Sequence, residues 1–600
     1  MATYKAPLRE MRFVLHEMLG VEKLAEMPGY EEATPDIVDA ILEEAAKLCE
    51  NELQPLNYSG DQEGCTYENG VVRTPEGFKE AYKTFAESGW CGIACDPKYG
   101  GQGLPKVINF VFEEMICSAN MSFGMYPGLS LGAYNAIEHH ATDELKDEYL
   151  PKLVDGTWSG TMCLTEPHCG TDLGLIRTKA VPDDDGSYKI TGTKIFISAG
   201  EHDLTDNIVH LVLAKLPDAP EGVRGISLFL VPKFLPKQEN GETVAGPRNG
   251  VMCGSIEHKM GIKASATCVI NFEDAKGWLV GQPHKGMAHM FTMMNAARLG
   301  VGMQGLGLAE VAYQNAVDYA KERVQGRALK GAEAPDKPAD PIIVHPDVRR
   351  MLLRARSLTE GARAFAYWTG YEIDKMLKHP DEAVREEASD WIELTTPIIK
   401  AFFTDHGFEA ANLAVQVYGG HGYISEHGIE QFVRDARITQ LYEGTNGIQA
   451  LDLIGRKLPA HMGRFLRRFF HPVQQFIEAN AADPEMAEFV TPLMKSFAKL
   501  QQTTLWLAEA GMKDQNDAAA AASEYLGAFG FVAIGYMWAR MAKIARDKLK
   551  AGANGEEDFY TAKLATARFY MKRVLPETAG LFATMTGGAK PLMELEEAAF

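Results

Sequence analysis

The chain has 600 residues, 46% hydrophobic and 24% charged, too many for one core and balanced as in a globular protein of several domains. Acidic residues outnumber basic ones 81 to 60, for a formal net charge of −21. This argues against a general nucleic-acid binder, whose affinity rests on neutralising phosphates. The nine cysteines lie within the first 268 residues and form no CxxC pair, which argues against a disulfide framework or a zinc site and for a reducing cytoplasm.

The first twenty residues include acidic side chains and no long apolar run, so no secretory signal is expected. Thr34-Pro35-Asp36 is a helix start: a capping hydroxyl, a proline at the first turn and an acid near the positive helix end. Ile37, Ile41, Ala45, Leu48 and Leu53 follow at helical spacing. Further helical segments are expected around Phe78 to Ser88, Val107 to Ala119 and Glu144 to Val154, with a Gly-rich break from Tyr99 to Gly103. Between Gly160 and about Gly281 the runs Tyr188 to Ser198, Ile208 to Lys215, Ile226 to Val231 and Thr267 to Phe272 are rich in Val, Ile, Phe and Thr. No helical pattern separates them, which predicts an antiparallel sheet or barrel rather than a parallel βαβ sheet.

From His284 the pattern is helical again: to about Arg327, then from Pro346-Asp347, then from Asp381 to Val417, with an exposed loop over Gly331 to Pro341. Beyond Pro459 the chain is Ala-rich and helical, including Asn516 to Met541 and Asp558 to Ala579. The apolar stretch Tyr525 to Ala539 stops at Arg540, short of the roughly 20 residues of a membrane span, so a core helix is expected and no integral membrane segment. Arg464, Arg467 and Arg468 are expected to line a solvated helix face. The expected fold is α+β and multidomain: a helical domain (1–158), an antiparallel β-barrel or sandwich (159–282), a helical bundle (283–460) and an additional helical domain (461–600).

Gly300-Val301-Gly302-Met303-Gln304-Gly305 matches the GxGxxG dinucleotide pattern. That motif requires a preceding buried strand, which aims backbone amides at a pyrophosphate. The residues before it, Phe291 to Arg298, have no β-branched run, so the glycines are assigned to close packing within a helix.

Two segments carry chemistry. One is Met162-Cys163-Leu164-Thr165-Glu166-Pro167-His168-Cys169-Gly170-Thr171-Asp172, followed by Lys194 to Gly200. The other runs Gln416-Val417-Tyr418-Gly419-Gly420-His421-Gly422-Tyr423, then Arg434 to Arg437 and Tyr442-Glu443-Gly444-Thr445. Together, and in this order, they resemble the acyl-CoA dehydrogenase family over roughly residues 36 to 460.

The resemblance implies FAD-dependent α,β-dehydrogenation of an acyl-CoA thioester, with electrons passed to electron-transfer flavoprotein. Abstraction of the α-proton needs a base and the β-hydride needs an acceptor that side chains cannot provide. The family's base falls on Glu443, and a carboxylate drawn partly out of water is a stronger base. The alternative position for that base in some members falls on Ala297, which has no proton-accepting group. Flavin contacts fall on Met162, Leu164, Thr165, Phe196, Ser198 and Thr445, with Thr171 near the phosphates and the pantetheine. Arg323, Gln416, Gly419 and Gly420 fall where the family holds the pyrophosphate and adenine of a neighbouring subunit's flavin, so a homo-oligomer is implied, a dimer being favoured. Asn295, Arg298, Tyr442 and Gly444 fall at the substrate site. In the family the thioester carbonyl accepts hydrogen bonds from a flavin hydroxyl and the base's own amide, which stabilise the charge that develops there.

The chain departs from the family pattern at Gly447, at Val324 after the arginine, and at His168 and Cys169. With the loop at 331–341 and the C-terminal extension, these features resemble a longer bacterial branch that acts on fatty acyl-CoA or 3-(methylthio)propanoyl-CoA. An acyl-CoA oxidase, a DNA-associated relative with weak dehydrogenase activity and a non-catalytic assembly protein are the alternatives. The acidic balance opposes the second and an intact Glu443 the third.

Overall fold

The β-branched and aromatic runs pair into one seven-stranded sheet. The strands of the protein are β1 (Thr66–Glu68), β2 (Val71–Arg73), β3 (Trp158–Cys163), β4 (Lys179–Pro182), β5 (Tyr188–Ser198), β6 (Asn207–Lys215), β7 (Ile226–Pro232), β8 (Phe234–Glu239), β9 (Glu242–Arg248), β10 (Val251–Ile256) and β11 (Thr267–Val280). The computed structural model describes residues 2–600. It divides into two units: residues up to Ala46 with Pro105–Ser118 and Val301–Phe600, and Lys47–Leu104 with Ala119–Gly300.

In the second unit the sheet order is β10-β11-β5-β4-β6-β3, and β7 pairs with both β11 and β6. That double pairing closes β11, β5, β4, β6 and β7 into a ring, the expected barrel. Most pairs are antiparallel, but β3 and β4 each pair with β6 in parallel, a correction to the purely antiparallel expectation. The physical reason is that a strand's composition does not record its partner's direction; β4 and β5 lie between β3 and β6 in sequence and serve as the crossover a parallel pair needs.

Strands β6 and β7 are buried along nearly their whole length, which is why they appear as continuous apolar runs. Val209, Leu211 and Leu213 face a core shared with Tyr134, Ile137, Tyr149 and Trp158. Val212 and Ala214 face the other core, with Phe229, Ile197 and Phe272.

Two elements depart from the helical reading of the first third. Thr66–Arg73 is a β-hairpin. The helix expected over Val107 to Ala119 runs on to His140, interrupted at Asn120, whose φ of −160° and ψ of 88° are not helical. Asn120 Oδ1 accepts the N–H of Phe123 at 3.0 Å and so restarts the helix as an N-cap.

The first unit is helical. Glycines set its closest helix crossings: a methyl group at Gly302 would lie 2.4 Å from Ile399 Cγ2, and one at Gly305 would lie 2.6 Å from the Phe403 carbonyl oxygen. Both glycines lie inside the helix Gly286–Glu322, so the GxGxxG run serves helix packing, as the sequence indicated. Buried Arg363 joins the carboxylates of Glu114 and Glu310, each at 2.6 Å. Removing one member would leave an uncompensated buried charge.

The helices after Arg464 belong to this same unit. They dock through Gly530, where a methyl would meet the Phe402 ring, through Gly361 against Ile534, and through Trp538 Nε1 donating to the Ser357 carbonyl at 2.8 Å. Arg464 and Arg468 pair with Asp390, at 2.8 and 3.1 Å. Arg464 and Arg468 therefore make an ion-paired contact with the helix Glu382–Tyr418, because that helix presents a buried aspartate there, while Arg467 is exposed as expected. The 331–341 loop has no helix or strand and is pinned by buried Asp340, which accepts the N–H groups of Ala328 and Ala334 at 2.9 and 2.7 Å. No helix among the described residues is long and apolar enough to cross a membrane.

Candidate active site

In the second unit the residues expected to meet a flavin ring gather at the ends of β3 and β5. The turn after β3 is clamped to β5 by two kinds of bond. The Ile195 N–H donates to the Thr165 carbonyl at 2.9 Å. Fully buried Lys194 donates to the Leu164 carbonyl at 3.0 Å and to Glu166 at 2.9 Å. Glu166 also accepts the Arg177 N–H and both the N–H and hydroxyl of Thr178. Burial raises the Glu166 carboxyl and Lys194 lowers it; the ammonium and hydrogen bonds win, so it lies below the usual carboxylate range. This buried pair escaped the sequence reading although both residues stand in the quoted motifs. A charge's partner is not written in its neighbours.

The clamp presents Met162, Leu164, Thr165 and Ser198 half-buried and Thr171 exposed. Neither the Thr165 nor the Ser198 hydroxyl bonds another described residue. Phe196 is the unusual member. Between Lys194↔Ile270 and Ile197↔Cys268, two residues of β5 stand opposite one of β11, which is a β-bulge. Phe196 lies in that bulge with φ of 58° and is 60% exposed. Bulges re-aim side chains; this one turns a large ring outward from a strand whose neighbour Ile197 is core. Two hydroxyls on one strand-end ledge beside an outward ring suit a flat aromatic group with polar edges, and the residues fit an isoalloxazine.

Glu166, His168 and Cys169 also bring one potential ligand atom each within 4.8 Å of one another. Glu166 is already bonded to an ammonium and three other donors, and a cation beside Lys194 would be repelled, so the cluster is a poor metal site.

Also in the second unit, Arg298 is buried, donates to Asn295 Oδ1 at 3.4 Å and lies over the Phe291 ring at 5.6 Å. Ala297 precedes it, without a proton-accepting side chain.

In the first unit, Glu443 lies in the turn between the helices Glu430–Thr439 and Asn446–Asp452. Its φ is 58°, and Gly444 follows at 85°. A non-glycine residue in this region costs about 1–3 kcal/mol and persists only when its surroundings enforce it. Three contacts do so. Buried Gln449 donates through Nε2 to the Glu443 and Gly444 carbonyls, at 3.1 and 3.4 Å. Asn446 is tied to Lys400, Thr404, Asp405 and the Ala401 carbonyl. Tyr442 donates its hydroxyl to Gln304, and burial holds its pKa well above the ordinary value. Thr445 caps the next helix by accepting the Ile448 N–H at 3.3 Å. Gln449 and Asn446 were missed from sequence because their role depends on how the turn folds back.

The remaining expected contacts cluster elsewhere in the first unit. Arg323 ends one helix, Gln416 lies in the last turn of another, and Gly419 and Gly420 follow it; all four are exposed. Gly419 has a φ of 59°, and nothing lies within 4 Å of a methyl group placed at either glycine. Tyr319 stacks on Tyr418 at 4.0 Å and bonds His421 at 2.7 Å, fixing the two helix ends together. An exposed arginine and an amide beside open backbone suit a pyrophosphate.

The chain matches four family models in order. These are the acyl-CoA dehydrogenase N-terminal domain over residues 36–157, the middle domain over 161–275, the C-terminal domain over 284–458, and the acetyl-CoA dehydrogenase C-terminal-like domain over 469–596. It is 44% identical to a 3-methylmercaptopropionyl-CoA dehydrogenase of Ruegeria pomeroyi, over 98% of this chain and 99% of that one. It is 35% identical to a broad-specificity linear acyl-CoA dehydrogenase of Mycobacterium tuberculosis, across the full length of both. It is 36% identical to a butyryl-CoA dehydrogenase of Syntrophomonas wolfei, over 100% and 99%. Among solved structures, a Caenorhabditis elegans protein in complex with C11-CoA superposes with a TM-score of 0.76 over 95% of this chain and 91% of that one, at 19% identity, which is a likeness of fold. The butyryl-CoA dehydrogenase of Megasphaera elsdenii aligns over 70% of this chain and 98% of its own, with 27% identity and a TM-score of 0.57.

Proposed function

This chain belongs to the acyl-CoA dehydrogenase family of FAD-dependent oxidoreductases, and on that premise we propose that Glu443 takes the α-proton of a short acyl-CoA thioester to begin its conversion to the trans-2-enoyl-CoA. The observation that carries this reading is the backbone at Glu443. A carboxylate follows half-buried Tyr442 in a left-handed conformation that Gln449 fixes through the carbonyls of the turn. Strain enforced at a non-glycine residue clusters at functional sites and supports this assignment.

Bound FAD supplies the two-electron acceptor for the β-hydride. Thr165 and Ser198 would bond its ring and Phe196 would pack on it, while the Lys194–Glu166 pair keeps the Thr165 turn in place. Arg323, Gln416, Gly419 and Gly420 would hold the pyrophosphate end of a flavin carried by a second subunit, and Thr445 would also meet the flavin. Thr171, Asn295, Arg298, Tyr442 and Gly444 orient the thioester. The proton moves to a Glu443 carboxylate oxygen, and electrons leave to electron-transfer flavoprotein.

For the substrate we favour 3-(methylthio)propanoyl-CoA, on the 44% identity over nearly the whole chain. Straight-chain acyl-CoA is the second reading, from the relatives named for it. Anaerobic mixing with butanoyl-, pentanoyl-, octanoyl- and 3-(methylthio)propanoyl-CoA, followed by flavin bleaching, tests both. The methylthio ester is expected to give the highest kcat/KM, and a preference for octanoyl-CoA would refute the short-chain assignment. Glu443→Gln is expected to keep its flavin and lose turnover by roughly 10²–10⁴-fold; bleaching at the unaltered rate would remove Glu443 as the base.

A further inference from the structure

The helix Ala487–Lys513 buries one face through Phe489, Leu493, Phe497, Leu500 and Leu507. Around it runs a second pattern. Met494, Ala498, Gln501, Leu505, Ala508 and Met512 recur at alternating spacings of four and three residues, so they form one stripe along the helix. The stripe has no charge and is largely open: Met494, Leu505 and Met512 are 44%, 68% and 81% exposed. Scattered exposed apolar residues need no explanation. A heptad-spaced row of them, on a helix already anchored by its other side, has the form of a coiled-coil seam awaiting a second helix.

We propose that this stripe is a self-association seam that pairs, antiparallel, with the same helix of a second copy of the chain about a two-fold axis at the level of Thr503. The occupant follows from self-complementarity, because a two-fold interface must match itself after rotation. Read in either direction, the stripe gives methionine, alanine, a mid-sized side chain, a mid-sized side chain, alanine, methionine. Antiparallel pairing sets Met494 against Met512 of the other copy, Ala498 against Ala508 and Gln501 against Leu505. The facing alanines admit close approach of the two backbones, and the methionines close the ends.

Charge agrees with this direction. Lys495 and Glu509 flank the stripe on one side near its opposite ends, with Lys513 beyond Glu509 on that side, and neither Lys495 nor Glu509 makes an ion pair with another described residue. Antiparallel pairing carries the lysine of one copy towards the glutamate of the other. Parallel pairing would gather both lysines at one end and both glutamates at the other. The seam lies wholly in the appended helices and stands apart from the assignment of Glu443.

Sedimentation of the FAD-loaded full chain tests it. Leu505→Glu and Lys495→Glu are each expected to weaken association through this seam about tenfold or more, and Lys495→Glu with Glu509→Lys to restore it. Gln502→Cys, next to the two-fold axis, is expected to give a covalent dimer with a short bis-maleimide, above the background of native cysteines. Met494→Cys, far from its own copy in this register, is expected not to. Sedimentation unchanged by Leu505→Glu, no cross-link at Gln502→Cys, or equal cross-linking at Met494→Cys would overturn the proposal.

Discussion

At the scale of single residues, position depends on partners that the local sequence does not name. Glu443, the proposed base, was singled out because its neighbours Tyr442, Gly444 and Thr445 form a motif. Its left-handed backbone was not, since a glutamate gives no hint of positive φ. Gln449 was invisible for the same reason: its side chain matters only because the turn brings two carbonyls within its reach. Substituting Gln449→Leu removes both bonds from a buried site while leaving the Glu443 carboxylate in place. The expected outcome is a fall in kcat of roughly 10–10²-fold through misplacement of the base, with KM and flavin content little changed. Steady-state kinetics with a flavin-absorbance ratio would check it, and an unchanged kcat would show that the turn holds its shape without the amide.

At the scale of elements, composition carried further for helices and strands than for their partners. The runs Tyr188 to Ser198 and Ile226 to Val231 were found because β-branched and aromatic residues cluster there. The parallel pairing of β3 with β6 was not found, because parallel direction leaves no mark on a short strand. The second half of Lys106–His140 was missed because Gly124, Pro127, Gly128 and Gly132 break the helical signal that burial then overrides; Gly132, for one, packs against the Met293 side chain. The glycines of Gly300 to Gly305 make the same point from the other side. Ala is a better helix former than Gly by about 1 kcal/mol, yet at Gly305 its methyl would meet the backbone of Phe403. Overpacking of that kind costs about 1–3 kcal/mol, so Gly305→Ala is expected to lower the thermal midpoint. Gly580, in the helix Thr578–Met585 with nothing within 4 Å of a new methyl, is the control, and Gly580→Ala is expected to be neutral or stabilising. If the two variants shift the midpoint equally, helix crossing distance is not what the glycine at 305 provides.

At the scale of the whole molecule, particular buried groups of the two units respond to pH in opposite senses. In the second, burial drives His202 and His210 down to about 3, so the folded unit refuses protons that the unfolded chain accepts near pH 6.5. Their contribution to stability is present above about 6.5 and lost as pH falls. In the first, Asp374 is fully buried and accepts the N–H groups of Lys106 and Val107 and the hydroxyl of Tyr30, joining three distant stretches of chain. Burial outweighs those bonds and raises its pKa to about 6, against about 3.9 unfolded. The folded unit holds this proton more tightly, so the contribution of Asp374 is complete below about pH 4 and disappears as pH rises through 6. Glu409 runs the other way: burial raises it, His406 and Arg354 more than reverse that, and it lies at about 2, so its contribution is present at neutral pH and lost only towards acid. Comparison with Asp374→Asn cancels the histidine and Glu409 terms, which both proteins share. The wild type's advantage in thermal midpoint over Asp374→Asn is expected to shrink between roughly pH 4 and pH 6, where the folded unit still holds a proton that the unfolded chain has lost. A midpoint difference that stays constant across that range, measured by calorimetry in matched buffers, would mean that the carboxyl is already ionised at the lower pH and that its hydrogen bonds, not its burial, set its charge.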